Sequence, residues 1–294
     1  MQRLYAFLRL IRIGNLAMML STQTLAYYFL TDHLLAEDLL NMRFILLLTA
    51  TFLAAASGYI INDYLDIQID HRNKPGRVTV GHTISRRWAM FLHLTFNVVA
   101  FSIGLYVDGY IAVSIIVCAV VLWFYSVIFK KSYLTGNILI ALLSAFVLLI
   151  LRMYDHSVSG YLVWAYAWFA FATTLLREII KDVEDMKGDA AFGAQTLPIK
   201  SGVRQTRMLL KQWTGVLIAS VFIHIFLGHS FMPYEHSYNA VLYIFYMLLF
   251  VAAPLGVFIY FIHTADRKTD FSTLSRMCKW IMLLGMLSMV FLKV

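Results

Sequence analysis

The chain predicts an all-α integral membrane protein: nine transmembrane helices in one domain spanning residues 1–294. Three observations carry that reading. Of 294 residues, 61% are hydrophobic and 14% charged, whereas a soluble domain is roughly half apolar and about 25% charged. The apolar residues gather into nine segments, each near the about 20 residues needed to cross the hydrocarbon core. Basic residues fall almost entirely on alternate connections between those segments.

The segments run 13–30, 42–61, 88–107, 109–129, 137–153, 158–180, 208–227, 240–263 and 274–292. The first is long and lacks a small-residue cleavage site, so no cleaved leader is expected. It opens within LIRIGN, which sets Arg12 and Asn15 at the membrane boundary, where an unpaired polar group is expensive. Asn15 is therefore a candidate pocket residue. The second segment runs into NDYLDIQIDHRNKPGR, residues 62–77. Only the turn at Asp108 and Gly109 separates the third from the fourth. The fourth leads into YSVIFKKSYLTGN, residues 125–137, and the sixth into REIIKDVEDMKGD, residues 177–189. Four prolines in the whole chain fit an all-helical body with few interruptions. Cys118 and Cys278 lie inside apolar segments and read as packing residues rather than a disulfide. His93, His224 and His263 lack ligand spacing and read the same way.

With nine crossings, the N-terminus and the even-numbered connections share one side. All of the 24 Lys and Arg residues except Arg43, Arg152 and Lys293 fall on it. The positive-inside rule then places the N-terminus in the cytoplasm and the C-terminus outside, in the cell (inner) membrane. The net charge of +8 is accounted for by this asymmetry, so the lipid bilayer, and no nucleic acid, is the expected partner.

Both acidic motifs lie on that cytoplasmic side. Asp63, Asp66 and Asp70 step by three and then four, as do Asp182, Asp185 and Asp189, an offset of 119 residues that hints at an internal repeat. That spacing puts three carboxylates on one face of a helix, where like charges repel unless a cation lies against them. Oxygen-only ligands suit Mg²⁺, which is bound through a few carboxylates, waters and substrate phosphates. A solvated helix end would explain one triad; the matched second triad argues against it. Asn62 adds a neutral oxygen beside Asp63. Arg72, Lys74 and Arg77 follow the first triad, and Lys181 and Lys187 interleave with the second. Carboxylates for metal beside cations for phosphate oxygens compose a diphosphate site. Tyr125 and Lys130 are candidates for the same cavity, although an interfacial aromatic with a snorkelling lysine reads equally well. The 22 Phe, 17 Tyr, 6 Trp and 14 Met pack the helices, and some can line a tunnel for a long hydrocarbon chain.

These stretches resemble the UbiA superfamily of intramembrane prenyltransferases. Its NDxxDxxxD motif after the second helix is matched by Asn62, Asp63, Asp66 and Asp70. Its second Asp-rich motif, after the sixth, is matched by Asp182, Asp185 and Asp189. LIRIGN, YSVIFKKSYLTGN and GAQTLPIKSG have family counterparts as well. The resemblance implies nine helices around a central cavity and Mg²⁺ held by the six aspartates. Asp63, Asp66, Asp182 and Asp185 become the catalytic core, with Asn15, Asn62, Arg72, Lys74, Arg77, Tyr125, Lys130 and Lys181 around a prenyl diphosphate donor. REIIKDVEDMKGD with TLPIKSG is most similar to the digeranylgeranylglyceryl phosphate synthase-like branch. Its members transfer a geranylgeranyl group to the hydroxyl of a prenylglyceryl phosphate in ether lipid synthesis. One departure is Val78, which replaces the proline that relatives carry after Arg77 in NKPxRPIPSG. An aromatic acceptor of quinone biosynthesis therefore stands as the alternative. A cation-binding transporter is a further alternative, but such sites lie near the bilayer midplane on broken helices rather than at one face. The D-x2-D-G-x2-A-R signature of CDP-alcohol phosphotransferases is absent.

Overall fold

A computed structural model describes residues 2–31, 36–73, 78–231 and 237–292. Among the described residues the chain is helical, relieved only by turns and two isolated bridges, Thr31 with Val158 and Val80 with Ile84. In order, the helices are α1 (Gln2–Leu10), α2 (Ile13–Leu30), α3 (Met42–Leu65), α4 (Ile67–Asn73), α5 (Arg86–Val107) and α6 (Gly109–Val127). They continue as α7 (Thr135–Tyr154), α8 (Gly160–Ala191), α9 (Leu197–Phe231), α10 (Ser237–Tyr246), α11 (Ala253–Thr264) and α12 (Lys268–Leu287). A π-helical turn, Met247–Ala252, joins α10 to α11 just ahead of Pro254, whose missing N–H cannot complete the regular ladder.

All nine expected segments fall on these helices, but not all of them qualify as spans. Seven are long and apolar enough to cross a membrane, and an eighth results if α1 and α2, bent by 52° at their break, count as one span. The helix left out is α8. Its apolar half is built from Tyr161, Trp164, Tyr166, Trp168, Thr173 and Thr174 as much as from aliphatic residues, which lowers its hydropathy. It also runs well past the expected end at Ile180, so the second acidic motif continues one unbroken helix.

The first motif does not. The helix is interrupted at Asp66, whose φ of −92° and ψ of 6° end α3, and Asp70 sits on the short α4. The hydrogen bonds from Asp66 N to Asn62 O and from Asp70 N to Asp66 O keep the i to i−4 pattern across the break. The single-helix expectation for this triad is corrected: it turns a corner, and α4 packs against α8.

Helix starts follow the sequence. Asn41, Ser85 and Asp108 each accept a backbone N–H at the first turn of α3, α5 and α6. Two apolar cores flank the lumen: Leu210, Phe258, Phe271 and Ile281 among α8–α12, and Tyr27, Phe44, Leu148 and Val163 among α2, α3, α7 and α8. Buried Gln23 knits the second, donating to Val147 O and accepting from Thr51 Oγ1. Close approach demands a glycine at position 285, where an added Cβ would lie 2.2 Å from the ring of Phe169.

Candidate active site

A cavity of about 620 Å³ runs between these cores, lined from α1, α2, α3, α4, α6, α7, α8 and α12. Ionisable and amide side chains gather at one end, Asn15, Asn62, Asp63, Asp70, Lys130, Lys181, Asp182, Asp185 and Asp189 among them. The remainder is largely apolar, with Met18, Met19, Leu122, Ile140, Leu143, Phe146, Phe169, Met282 and Met286 on its walls.

The two motifs therefore meet. Asp63, on the last turn of α3, accepts a hydrogen bond from Arg12 Nη2 at 2.9 Å. The Arg12 guanidinium also lies over the Tyr59 ring, 4.8 Å from its centroid. Arg12 occupies the break between α1 and α2 at φ 52° and ψ 54°, a left-handed conformation unusual for a side-chain-bearing residue. Asp66 does not line the cavity; it is buried behind Lys130 and ion-paired with it. Burial opposes the charge on Lys130, yet attraction and hydrogen bonding from Asp66, with Asp70 adding, raise its pKa above the ordinary value. The turn bearing Lys130 is fixed at Gly136, where a Cβ would come within 2.5 Å of Phe129 O. Gln195 N, donating to Lys131 O at 2.8 Å, ties the same turn to the α8–α9 connection.

Asp182 Oδ2, on α8, accepts from Asn137 Nδ2, on α7, at 2.8 Å. Asp182 lies just beyond the expected end of its span. Burial pushes it up to about 7, with Glu178 and Asp189 adding repulsion against the hydrogen bond of Asn137 and the attraction of Lys181. Glu178 bridges Arg177 Nη1 at 2.8 Å and Lys181 Nζ at 3.3 Å. Asn15 donates to Tyr59 Oη at 3.4 Å, and its Oδ1 accepts from Lys279 Nζ at 3.3 Å. Of the other expected residues, Tyr125 lines the cavity, whereas Arg72 is exposed on α4 and does not. Lys74 and Arg77 lie outside the described residues.

The profile of the UbiA prenyltransferase family matches residues 21–285. The chain belongs to that family. As a UbiA member it is an integral membrane enzyme of prenyl transfer. It is 32% identical over 234 residues to the digeranylgeranylglyceryl phosphate synthase of Sulfolobus acidocaldarius, covering 76% of this chain and 80% of the relative. To the synthase of the same name from Methanothermobacter thermautotrophicus it is 33% identical over 228 residues, covering 78% and 77%. A solved structure from work on digeranylgeranylglyceryl phosphate synthase in membranes superposes with a TM-score of 0.68 at 23% identity, covering 99% of this chain and 98% of that one. A UbiA homologue from Archaeoglobus fulgidus bound to GPP and Mg²⁺ gives 0.65 at 14% identity, covering 97% and 99%. These two likenesses establish the UbiA fold of this chain.

Sequence reading missed several residues of this UbiA-type cavity. Glu178 sits four residues before Asp182, so the acidic face begins a turn earlier than the aspartates alone imply. Tyr59 holds the same place ahead of Asp63, again at the 119-residue offset. Extending the spacing backwards would have found both. Arg9, Arg177 and Lys279 also line the cavity but had been counted only as loop or boundary charges.

Proposed function

We propose that this UbiA-family protein is a Mg²⁺-dependent intramembrane prenyltransferase of ether lipid synthesis. It moves a polyprenyl group, geranylgeranyl in our reading, from its diphosphate to the hydroxyl of a prenylglyceryl phosphate. The observation that carries this is one cavity with both acidic motifs at its polar end and a methionine- and phenylalanine-lined lumen beyond. The names of the relatives from Sulfolobus acidocaldarius and Methanothermobacter thermautotrophicus support the acceptor.

The donor set fits Mg²⁺. Its ligands are carboxylate oxygens on two facing elements, and among the described residues no three His, Cys, Asp or Glu side chains converge on one point. Mg²⁺ keeps several waters and is bound through one or two carboxylates with substrate phosphates rather than by an all-protein cage. Asp63 and Asp70 on one side and Asp182, Asp185 and Asp189 on the other line the cavity and would hold it, whereas Asp66, expected as a ligand, does not line it and is paired with Lys130 instead. Bound there, Mg²⁺ would offset the charge of the diphosphate and stabilise it as a leaving group. Lys130, Lys181 and Arg12 are placed to take phosphate oxygens, while Asn15, Asn62 and Tyr125 border the same space. The apolar walls shield the allylic C1 from water as its bond to the diphosphate breaks. The acceptor hydroxyl oxygen forms the new ether bond to C1 and loses its proton.

In this reading the chain is a single domain with nine spans: α8 crosses as well, its less apolar face turned to the lumen. The N-terminus and the polar end of the cavity face the cytoplasm and the C-terminus lies outside, in the cell membrane. Reporters fused at the two ends should report opposite sides; the same side for both would remove the nine-span topology. The decisive assay uses purified protein, Mg²⁺ and labelled geranylgeranyl diphosphate, with geranylgeranylglyceryl phosphate and 4-hydroxybenzoate offered in parallel. Labelled ether lipid is expected, and chelation should abolish it. Label on the aromatic ring would instead make the acceptor that of quinone synthesis.

A further inference from the structure

Lys279 is the charge that the diphosphate site leaves over. It lies on α12, five residues inside the apolar stretch 274–292, about 8 Å along the helix axis at 1.5 Å per residue. A charge at such a depth in a membrane bundle faces the interior and marks a functional position. Lys279 indeed lines the cavity. Its hydrogen-bond acceptor is a neutral amide, Asn15 Oδ1. The charges that weigh most on it are Arg177, then Lys181 and Arg12, all of like sign, with Glu178 opposing. Glu178 is already shared between Arg177 and Lys181.

Arg177 supplies a second, independent observation. It too lines the cavity, and its Nε is buried without a hydrogen-bond partner among the described residues. A buried donor lacking an acceptor is destabilising unless a ligand supplies one. The polar end of the cavity is thus divided. The α3–α4 side and the last turns of α8 carry the aspartates, which take an anion through metal. The α2, α8 and α12 side carries Arg177 and Lys279 in excess of their carboxylate, and takes an anion directly.

We infer that Arg177 and Lys279 form a metal-independent subsite for the phosphate of the acceptor, which seats its glycerol hydroxyl against the donor's C1. The inference rests on the prenylglyceryl phosphate reading given above and assigns residues to it. Arginine and lysine both bind phosphate oxygens through charge-assisted hydrogen bonds, the arginine with directional geometry.

The test is steady-state kinetics on the full-length protein in detergent or vesicles, with Lys279→Met, Lys279→Arg and, as a control on α12, Arg276→Met; Arg276 is exposed and does not line the cavity. Lys279→Met should raise KM for geranylgeranylglyceryl phosphate by about tenfold while leaving KM for the diphosphate donor within about twofold. Lys279→Arg should recover most of the loss. The phosphate-free geranylgeranylglycerol should be a poor acceptor for the wild type and equally poor for Lys279→Met. With a wild type that makes ether lipid, an unchanged acceptor KM in Lys279→Met would overturn the subsite and leave the function standing, as would a rise in donor KM instead. A wild type that makes no ether lipid at all would remove both. Matched thermal unfolding of the variants separates these outcomes from misfolding.

Discussion

Arg12 is held by Asp63 through a 2.9 Å hydrogen bond in a left-handed backbone conformation, with its guanidinium over Tyr59. Left-handed geometry is unfavourable by about 1–2 kcal/mol for a residue with a side chain, so the backbone here is held by what the side chain does. Arg12→Gly should therefore be more stable than Arg12→Ala by about 1 kcal/mol, while both lose prenyl transfer to a similar extent. Thermal unfolding and turnover measured on the same preparations check this. Higher stability for Arg12→Ala would show that the backbone strain is not what the arginine sustains.

Asp66 and Asp185 should fail in different ways. Asp66 is buried against Lys130, so Asp66→Ala leaves a half-buried ammonium unpaired and lowers stability by about 2 kcal/mol as well as abolishing transfer. Adding Lys130→Met should restore much of the stability but none of the activity. Asp185→Ala should abolish transfer with little change in unfolding. Full activity in either single variant would eliminate the two-motif site.

Glu178→Gln removes the charge that Arg177 and Lys181 share. We expect a fall in kcat/KM of about 100-fold, or about 2.7 kcal/mol in transition-state stabilisation, because two cations at the mouth lose their fixed orientation. Activity close to wild type would confine Glu178 to packing.

Gly136→Ala tests how the Lys130 turn is set. The new methyl would meet a backbone carbonyl at 2.5 Å, and such overpacking is destabilising by about 1–3 kcal/mol. A raised KM for the diphosphate should accompany the lower melting temperature. Wild-type values for both would mean that the turn accommodates the methyl.

Much of this was legible in the sequence because it was periodic or repeated. Most helices follow the apolar segments within a few residues, although α8 ends eleven residues beyond its segment and α9 begins eleven before its own, and the two aspartate triads point to one site because they recur with the same spacing. The parts that escaped depend on distant partners. The left-handed Arg12 needs Asp63, 51 positions away, and no local pattern signals it. The corner at Asp66 follows from burying a carboxylate under Lys130, a contact between α3 and the turn after α6. Lys279 resembled an ordinary cytoplasmic charge until α12 was seen to carry it into the cavity. The hydropathy of α8 fell short for two reasons: Tyr166, Thr173 and Thr174 face the lumen, and Trp164 and Trp168 stand exposed on its outer side.

The contact at Gly285 reaches beyond packing. Phe169 lines the lumen, and its ring rests where any side chain at 285 would stand. A methyl added there would press the ring away from α12, and the space beside it is the apolar channel that takes the hydrocarbon tail in the function proposed above. The bore of that channel is therefore adjusted from behind its own wall, and a single carbon at position 285 would act as a stop that shortens the longest isoprenoid the protein admits.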